Sequence, residues 1–254
     1  KNIAGIRGDS ASSLRVWTAT GNPDNLNIST GMSQAFEIRD LYISHNSGNG
    51  HVVQLFAWSS TATIRFYNVT LDHSSTSGGD GINTPLPPAG PALVIDRCRF
   101  LGGTSDRGFA LNGSGDGRAL VRNSLFRGLG AYGIEFSSAA ATNIGWVQNC
   151  TFASCGTGLK VFQRVAVQNC AFAGSTSVDI DVSGGSGTTA DFSYSAFAQA
   201  TGPFGSNNIF GIVAGNEFNN LAGGDLSLKS SAQCRNAGTS IGGVVEDITA
   251  TARP

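Results

Sequence analysis

The sequence predicts an all-β chain wound as a single-stranded right-handed parallel β-helix, a solenoid of about eight to nine coils. Three observations predict this fold class. A six-residue pattern recurs along the chain, its copies are spaced by the length of one solenoid coil, and the composition suits short strands and tight turns. Glycine occurs 35 times, and charged residues make up only 13% of the chain, about half the usual share.

The recurring pattern is an apolar residue, a polar residue, an Asn-like residue, a small residue, any residue and a Phe-like residue. Clear copies are IDRCRF, VRNSLF, VQNCTF and VQNCAF, which end at positions 100, 126, 152 and 172. Further copies end at positions 43, 71, 197 and 218, so neighbouring copies are 20 to 29 residues apart. That spacing matches one coil of a three-sided solenoid.

Other repeat folds and all-β folds explain the pattern less well. A leucine-rich repeat has a similar period, but its leucine signature is missing, and a propeller blade needs about 40 residues. A β-sandwich or a barrel requires turns roughly every 8 to 12 residues and antiparallel partners. Neither fold would align the Asn, small and Phe positions in columns.

Each position of the pattern has a role in packing. The Asn makes a bend in the left-handed backbone conformation, and stacked Asn side chains are expected to form an amide ladder between coils. The small residue points inward, which explains three of the five cysteines as buried hydrophobic side chains. The aromatic residues are expected to stack inside the solenoid as a column of Phe100, Phe126, Phe152, Phe172, Phe197 and Phe218.

A second strand follows each aromatic residue after a Gly-rich turn. Its copies include GINT, GFAL, GIEF, GLKV, VDIDV and DLSL. Because side chains alternate between the two faces of a strand, Ile134 and Phe136 are expected inside and Glu135 outside. The predicted outward column is Gln54, Asn83, Ala110, Glu135, Lys160, Asp179 or Asp181, and Ser227.

Composition and the chain ends narrow the function classes. The net charge of −1 gives no overall field that favours nucleic acid as a partner. No apolar run approaches the length of a membrane span, and no signal peptide is visible. The chain opens with KNIAGIRGD, without an initiator Met and already in a strand-like pattern. We therefore expect one β-helix domain over residues 1–254, processed or excised from a longer exported protein.

The repeats just described resemble the pectate-lyase-like superfamily of right-handed parallel β-helices, and the resemblance covers most of the chain. The opening segment also resembles exported bacterial members, which are secreted or attached to the cell surface. The closing segment resembles them at Ala237, Gly238, Thr239, Asp247, Ile248 and Arg253. The resemblance implies an extracellular location and a polysaccharide or cell-surface glycan bound along the outer face of one parallel sheet.

The outward column supplies candidate catalytic residues. A lyase needs a base and a cation that neutralises the uronate carboxylate, whereas a hydrolase needs two carboxylates beside the bond. Stacking is expected to place Glu135, Lys160 and Asp179 side by side as an acid–base–acid row, because neighbouring strands are ~4.8 Å apart. The alternative interpretation is an ion-pair ladder that keeps an exposed sheet face soluble.

Asp72, His73 and Asp80 form a second group and are candidates for substrate binding. They superficially resemble the DH and DG elements of polysaccharide lyases and polygalacturonases. The paired Asp, Gly-His-Gly and Arg-x-Lys elements of polygalacturonases are missing, so assignment to that family fails. The alternative interpretation is a set of solvated turn residues.

Arg97, Arg107 and Trp146 are further candidates for substrate binding. The two arginines lie in the region of densest charge, where they could grip the carboxylate of an acidic sugar or form a compensated surface network. Trp146 directly precedes the inward Val147, so it is expected to face outward, where an indole ring could stack on a sugar.

Several functions remain open on this sequence. The favoured hypothesis is non-catalytic polysaccharide binding or a surface or adhesive structural domain. The alternatives are a polysaccharide lyase or glycoside hydrolase acting on an acidic polysaccharide, and a phage tail-spike-like depolymerase. We expect no resident cofactor or metal, with calcium as an option for a lyase. Oligomerisation stays open.

Overall fold

The computed structural model describes residues 5–7, 14–16, 26–28, 35–45, 50–55, 63–73, 78–84, 92–112, 118–137, 144–162, 164–183, 190–199, 205–221, 225–239 and 241. Asp247, Ile248 and Arg253 of the closing segment lie outside these residues. The first strands are β1 (Gly5–Arg7), β2 (Leu14–Val16), β3 (Leu26–Ile28), β4 (Phe36–Ser44), β5 (Val53–Leu55), β6 (Ile64–Asp72), β7 (Gly79–Thr84) and β8 (Ala92–Asp96).

The central strands repeat in groups of three. They are β9 (Arg99–Leu101), β10 (Asp106–Leu111), β11 (Arg118–Arg122), β12 (Leu125–Arg127), β13 (Tyr132–Phe136), β14 (Ile144–Gln148), β15 (Thr151–Ala153), β16 (Thr157–Val161), β17 (Arg164–Gln168), β18 (Ala171–Ala173) and β19 (Val178–Asp181). The last elements are β20 (Ala190–Ser193), β21 (Ala196–Phe197), β22 (Ile209–Phe210), helix α1 (Ala214–Glu217), β23 (Phe218–Asn220) and β24 (Asp225–Leu228).

Nearly all strands pair in parallel with the strand one coil away, which builds a three-sided solenoid. Sheet A has fifteen strands in two stacks that meet on β6. The pre-bend stack continues through β8, β11, β14, β17 and β20, and the post-bend stack through β9, β12, β15, β18, β21 and β22. Sheet B has seven strands in the order β19-β16-β13-β10-β7-β5-β3. The predicted parallel solenoid is confirmed, with seven described strands in sheet B rather than eight or nine.

The bend between the two stacks of sheet A lies at the predicted Asn position. The backbone is left-handed, with φ between 51° and 57°, at Asp40, Asn68, Arg97, Asn123, Asn149, Asn169 and Tyr194. Asn and Asp tolerate this conformation better than most residues because their short polar side chains can hydrogen-bond locally. Arg97 is not an Asn or Asp, but its backbone adopts the same left-handed conformation, with φ of 57°, so the bend is kept.

The predicted amide ladder along this bend forms only in part. Asn169 Nδ2 donates to Asn149 Oδ1 at 3.1 Å, which is one step of the ladder. Asn123 Nδ2 donates instead to Asp96 Oδ1 at 3.0 Å. Arg97 is the neighbour of Asn123 in the bend column, and the ladder is interrupted there because an arginine side chain offers no acceptor.

The predicted aromatic column is confirmed through five coils. The rings of Phe100, Phe126, Phe152, Phe172 and Phe197 stack with centroids 4.5 to 5.1 Å apart. The rings lie over one another because the parallel strands pair in register, so aligned sequence positions repeat at the spacing of one coil. All five rings are buried and form the centre of the core.

Cys98, Cys150 and Cys170 are buried free thiols on the inward face, as the pattern predicts. Burial raises the pKa of Cys98 to about 12 and the pKa of Cys150 well above its usual value. Cys98 and Cys150 therefore pack as neutral thiols, which are small and hydrophobic enough for the narrow position beside the bend.

The predicted pattern is wrong at the C-terminal end. Phe210, and not Phe218, stacks on Phe197, with ring centroids 5.5 Å apart. The VAGNEF segment contains α1, and β23 pairs antiparallel with β24, so DLSL and its Ser227 lie outside sheet B. The reason is local: the buried Glu217 accepts hydrogen bonds from the backbone N–H groups of residues 233 and 234, at 3.2 and 2.9 Å. These bonds hold the segment as a compact end rather than a further coil.

Membrane-spanning helices were not expected from the sequence. Within the described ranges, no helix has the length and apolar character that crossing a membrane requires.

Candidate functional site

The outer face of sheet B carries charged side chains that are joined from coil to coil. Lys160 Nζ lies 3.2 Å from Glu135 Oε1, and Arg107 Nη1 lies 2.7 Å from Glu135 Oε2. Arg107 Nε lies 2.5 Å from Asp80 Oδ1, and His51 Nδ1 lies 3.0 Å from Asp80 Oδ2. We call these five residues the charged row. From Asp80 to Lys160, negative and positive groups alternate.

Strand register explains how the charged row is assembled. Ala110 pairs with Glu135, and Glu135 pairs with Lys160, as expected for the outward column. Arg107 comes from another position on β10, where it pairs with Asp80. Because Ala110 carries only a methyl group, the guanidinium of Arg107 has room to reach diagonally to Glu135.

The pKa shifts of Arg107, Lys160 and Asp80 in the charged row all favour the ionised forms of these three side chains. Burial lowers the pKa of Arg107, but Asp80 and Glu135 raise it more, so the net shift is upward. Burial also lowers the pKa of Lys160, and hydrogen bonds to neighbouring side chains raise it more. For Asp80, burial raises the pKa, but His51 and Arg107 lower it more. A general acid or base needs a pKa near the working pH, so these shifts oppose acid–base catalysis.

Asp179 does not join the charged row, contrary to the prediction. Register places Asp181 opposite Lys160. Asp179 is buried, and its Oδ2 accepts a hydrogen bond from the backbone N–H of Gln199 at 2.9 Å. Of the two aspartates considered for this coil, Asp181 is the outward one.

A column of glycines explains why Asp179 points inward. Strand register aligns Asp179 with Gly81, Gly108, Gly133 and Gly158. A Cβ added to Gly158 would lie only 2.6 Å from Phe172 Cδ1, so side chains at this position are directed into the core. The aligned glycines at the start of each strand copy are the sequence signal that distinguishes Asp179 from Asp181.

The predicted group of Asp72, His73 and Asp80 is not a single site. Asp72 accepts a hydrogen bond from the Tyr42 hydroxyl in the neighbouring coil of sheet A. Asp80 belongs to the charged row on sheet B. His73 is buried and contacts Asp106, so the three side chains do not converge on one ligand position.

His73 is not a solvated turn residue but is buried and forms an ion pair. Its Nδ1 lies 3.1 Å from Asp106 Oδ1, its Nε2 lies 2.9 Å from the carbonyl oxygen of Gly50, and its ring stacks on His45 with centroids 5.1 Å apart. A carbonyl oxygen only accepts, so Nε2 carries a proton. Burial lowers the pKa of His73, but Asp106 and Gly50 raise it more.

Arg97 and Arg107 lie on different sides of the solenoid. Arg97 is at the bend of sheet A, with its guanidinium carbon 5.1 Å from the centroid of the Tyr67 ring. Arg39 contacts the same ring at 5.0 Å. Arg107 is in sheet B, so the two predicted arginines do not form one carboxylate clamp.

Trp146 faces outward from β14 as predicted, and it lies in a shallow depression. The depression has a volume of about 380 Å³ and is lined by Val94, Arg118, Leu120, Trp146 and Gln148. Across coils, Trp146 pairs with Leu120 and Ala166. The outer surface of the pre-bend stack thus has an apolar stripe, which we call the Trp146 stripe, made of Val94, Leu120, Trp146 and Ala166.

The sequence contains a signal for this stripe in the residue before each inward position. Each member directly precedes the first inward apolar residue of a repeat copy, at positions 95, 121, 147 and 167. Strict alternation would make such outward positions polar. Apolar residues at this position in four successive coils form a partly exposed apolar stripe, and larger apolar patches on a protein surface often mark binding sites.

Metal ligands are not gathered into a cluster in the part of the chain that the structure describes. No three His, Cys, Asp or Glu side chains of these residues are arranged to hold an ion. Calcium stays a prediction attached to the lyase alternative.

Comparison with known proteins identifies the fold family. A family model described as a right-handed beta helix region matches residues 89–241. No curated protein and no solved structure matches the chain. The matched residues cover the aromatic column, the charged row from Arg107 onward and the Trp146 stripe, and the match agrees with the resemblance to the pectate-lyase-like superfamily. The chain therefore belongs to the right-handed β-helix family.

Proposed function

We propose that this β-helix is a non-catalytic domain that binds an extended polysaccharide along the Trp146 stripe. The observation that supports this proposal best is the depression of about 380 Å³ around Trp146. It is lined by the apolar side chains of Val94, Leu120 and Trp146 and by the polar side chains of Arg118 and Gln148. Sites of this composition suit sugars, because a pyranose ring has an apolar C–H face and a polar rim.

The stripe has the shape that a linear chain requires. Val94, Leu120, Trp146 and Ala166 come from four successive coils, so the stripe runs along the solenoid axis with a step of ~4.8 Å. All four side chains are partly exposed. A polysaccharide laid along the axis would therefore meet one apolar position in each coil.

Amide side chains run parallel to the stripe. Gln148 and Gln168 pair across coils, two residues further along β14 and β17. Among the described residues, neither side-chain amide has a hydrogen-bond partner. Because an amide both donates and accepts, these two side chains are suited to sugar hydroxyl groups.

The charged row favours binding over catalysis. A hydrolase needs one carboxyl group that can donate a proton, but Asp80 has a lowered pKa and bonds to Arg107. A lyase base must lose its proton near neutral pH, but Lys160 has a raised pKa beside Glu135. These contacts support the ion-pair-ladder interpretation. An extracellular or cell-surface location and an adhesive role belong to the same proposal and are supported by the superfamily resemblance.

The test measures how variants on two faces of the protein, the Trp146 stripe and the charged row, bind a panel of soluble polysaccharides. Affinity electrophoresis and calorimetry would measure binding, and reducing-end and unsaturated-uronate assays would measure cleavage. We expect binding without cleavage, and we expect Trp146→Ala to weaken binding by about tenfold or more. The control Glu135→Gln should bind as the wild type does. The proposal would be overturned if the protein cleaves a polysaccharide and Glu135→Gln abolishes that cleavage. It would also be overturned if a folded Trp146→Ala variant binds as tightly as the wild type.

A further inference from the structure

Two arginines flank the Trp146 stripe at equivalent positions two coils apart. Arg118 in β11 pairs with Ile144 in β14, and Ile144 pairs with Arg164 in β17. Their backbones are therefore separated by two strand spacings, or roughly 10 Å. Trp146 lies two residues after Ile144 on the strand between them, so the indole and the two arginines form a triangle on the outer surface.

These arginines differ from Arg122, which lies on the same surface, and from Arg107 on sheet B. Arg122 is held by Asp96, with Nη2 to Oδ2 at 2.8 Å, and Arg107 is held by Asp80 and Glu135. Arg118 and Arg164 are both exposed. Within the residues that the structure describes, no carboxylate lies at ion-pair distance from either of them. Among the described residues, no carboxylate therefore neutralises their positive charge.

Uncompensated cations beside a sugar-sized depression favour an anionic ligand. Arginine binds carboxylates and sulfates with a planar fork of N–H donors, which gives both charge and direction. The coil spacing adds a second constraint, because one pyranose of an extended chain advances by about the axial rise of one coil. Anionic groups that match both arginines then belong to sugars one disaccharide apart.

We propose that the Trp146 stripe takes an anionic polysaccharide in which a carboxylate or sulfate recurs on the same side at every second sugar. A sugar ring between the two anionic residues lies on Trp146, and Gln148 and Gln168 face its opposite edge. This inference rests on the proposed polysaccharide-binding function and specifies the charge and period of its ligand.

The experiment measures binding of four polymers to the full chain at low and high salt. Hyaluronan has one carboxylate per disaccharide, polygalacturonate has one on every sugar, and laminarin is neutral. We expect hyaluronan to bind at least about tenfold more tightly than laminarin at low salt and to lose that advantage at high salt. We also expect polygalacturonate to bind no more tightly than hyaluronan. A chondroitin sulfate with its carboxylates reduced separates sulfate recognition from carboxylate recognition.

Variants separate a failure of this inference from a failure of the proposed polysaccharide-binding function. Arg118→Gln and Arg164→Gln should each remove several-fold of the hyaluronan affinity while leaving laminarin binding unchanged. Arg235→Gln is the matched control, since Arg235 is an exposed arginine in the C-terminal segment. Unchanged hyaluronan binding by the double variant Arg118→Gln/Arg164→Gln would overturn this inference but not the proposed function. The same holds if polygalacturonate binds more tightly than hyaluronan. It also holds if a DNA oligonucleotide binds as tightly and depends equally on the two arginines. If no polymer binds at all, the proposed function fails as well.

Discussion

Arg107 and Glu135 are joined by an ion pair of 2.7 Å that crosses from one coil to the next. The same guanidinium binds Asp80, whose side chain is 0% exposed. One arginine thus neutralises two carboxylates that the strand register would otherwise leave two coils apart. Ala110 makes this contact geometrically available, because a larger residue opposite Glu135 would occupy the path of the guanidinium.

Replacing Arg107 by Gln should destabilise the solenoid by about 3 kcal/mol. Breaking a buried ion pair costs ~3–5 kcal/mol, and the lower end applies because the Arg107 side chain is 31% exposed. Urea unfolding measures the difference. Arg65→Gln is the matched control, since Arg65 is 51% exposed and its contact to Glu37 is 3.7 Å long, so a loss below ~1 kcal/mol is expected. Equal losses in the two variants would contradict the structural role of the charged row.

The buried pair of His73 and Asp106 should make stability depend on pH near neutrality. The pKa of folded His73 is raised above its ordinary value of 6.5. The stabilising contribution is therefore complete below pH 6.5 and is lost as the pH rises through the folded-state pKa. NMR titration of the His73 ring, compared with the urea-unfolded chain, measures the shift. A folded-state midpoint at or below that of the unfolded chain would show this assignment to be wrong.

Asn169 should attach the C-terminal segment to the solenoid. Its amide donates to the carbonyl oxygen of Thr239 at 2.5 Å and accepts from the Thr239 N–H at 2.9 Å. Asn169→Gly removes these bonds but keeps the left-handed backbone, whereas Asn169→Ala adds roughly 1–2 kcal/mol of backbone strain. Hydrogen exchange at Thr239 should accelerate in both variants, and unfolding should show the larger loss for Ala. Unchanged protection at Thr239 would exclude this role.

Gly133 should tolerate no side chain. A Cβ at Gly133 would lie 2.5 Å from the carbonyl oxygen of Gly158 and 2.6 Å from Phe152 Cδ1. Gly133→Ala should therefore cost about 1–3 kcal/mol or more by overpacking. Gly215 has nothing within 4 Å of such a Cβ, so Gly215→Ala should leave thermal stability nearly unchanged. Two similar melting temperatures would count against the close coil packing described here.

Much of the candidate site was predictable because it depends on strand alternation. Glu135 and Lys160 were expected as outward neighbours, and they are 3.2 Å apart. Alternation alone misplaces Asp179, because the strand copies align only when the glycine column is superposed and Asp179 occupies the position of Gly158. The sequence alone does not show that Arg118 and Arg164 occupy equivalent positions, because turns of different length separate the coils and conceal which outward positions coincide.

The repeated hexapeptide alone determined the coil, the bend and the inward Phe column, because these depend on backbone preference and side-chain alternation within a few residues of one another. The tertiary structure decided which side chains meet. Arg107 reaches both Asp80 and Glu135, and His73 finds Asp106 rather than solvent, only once the turns have set the register between coils. Contacts between residues about 25 to 35 positions apart depend on that register and on the space left by small neighbours such as Ala110, and neither is encoded in a local pattern.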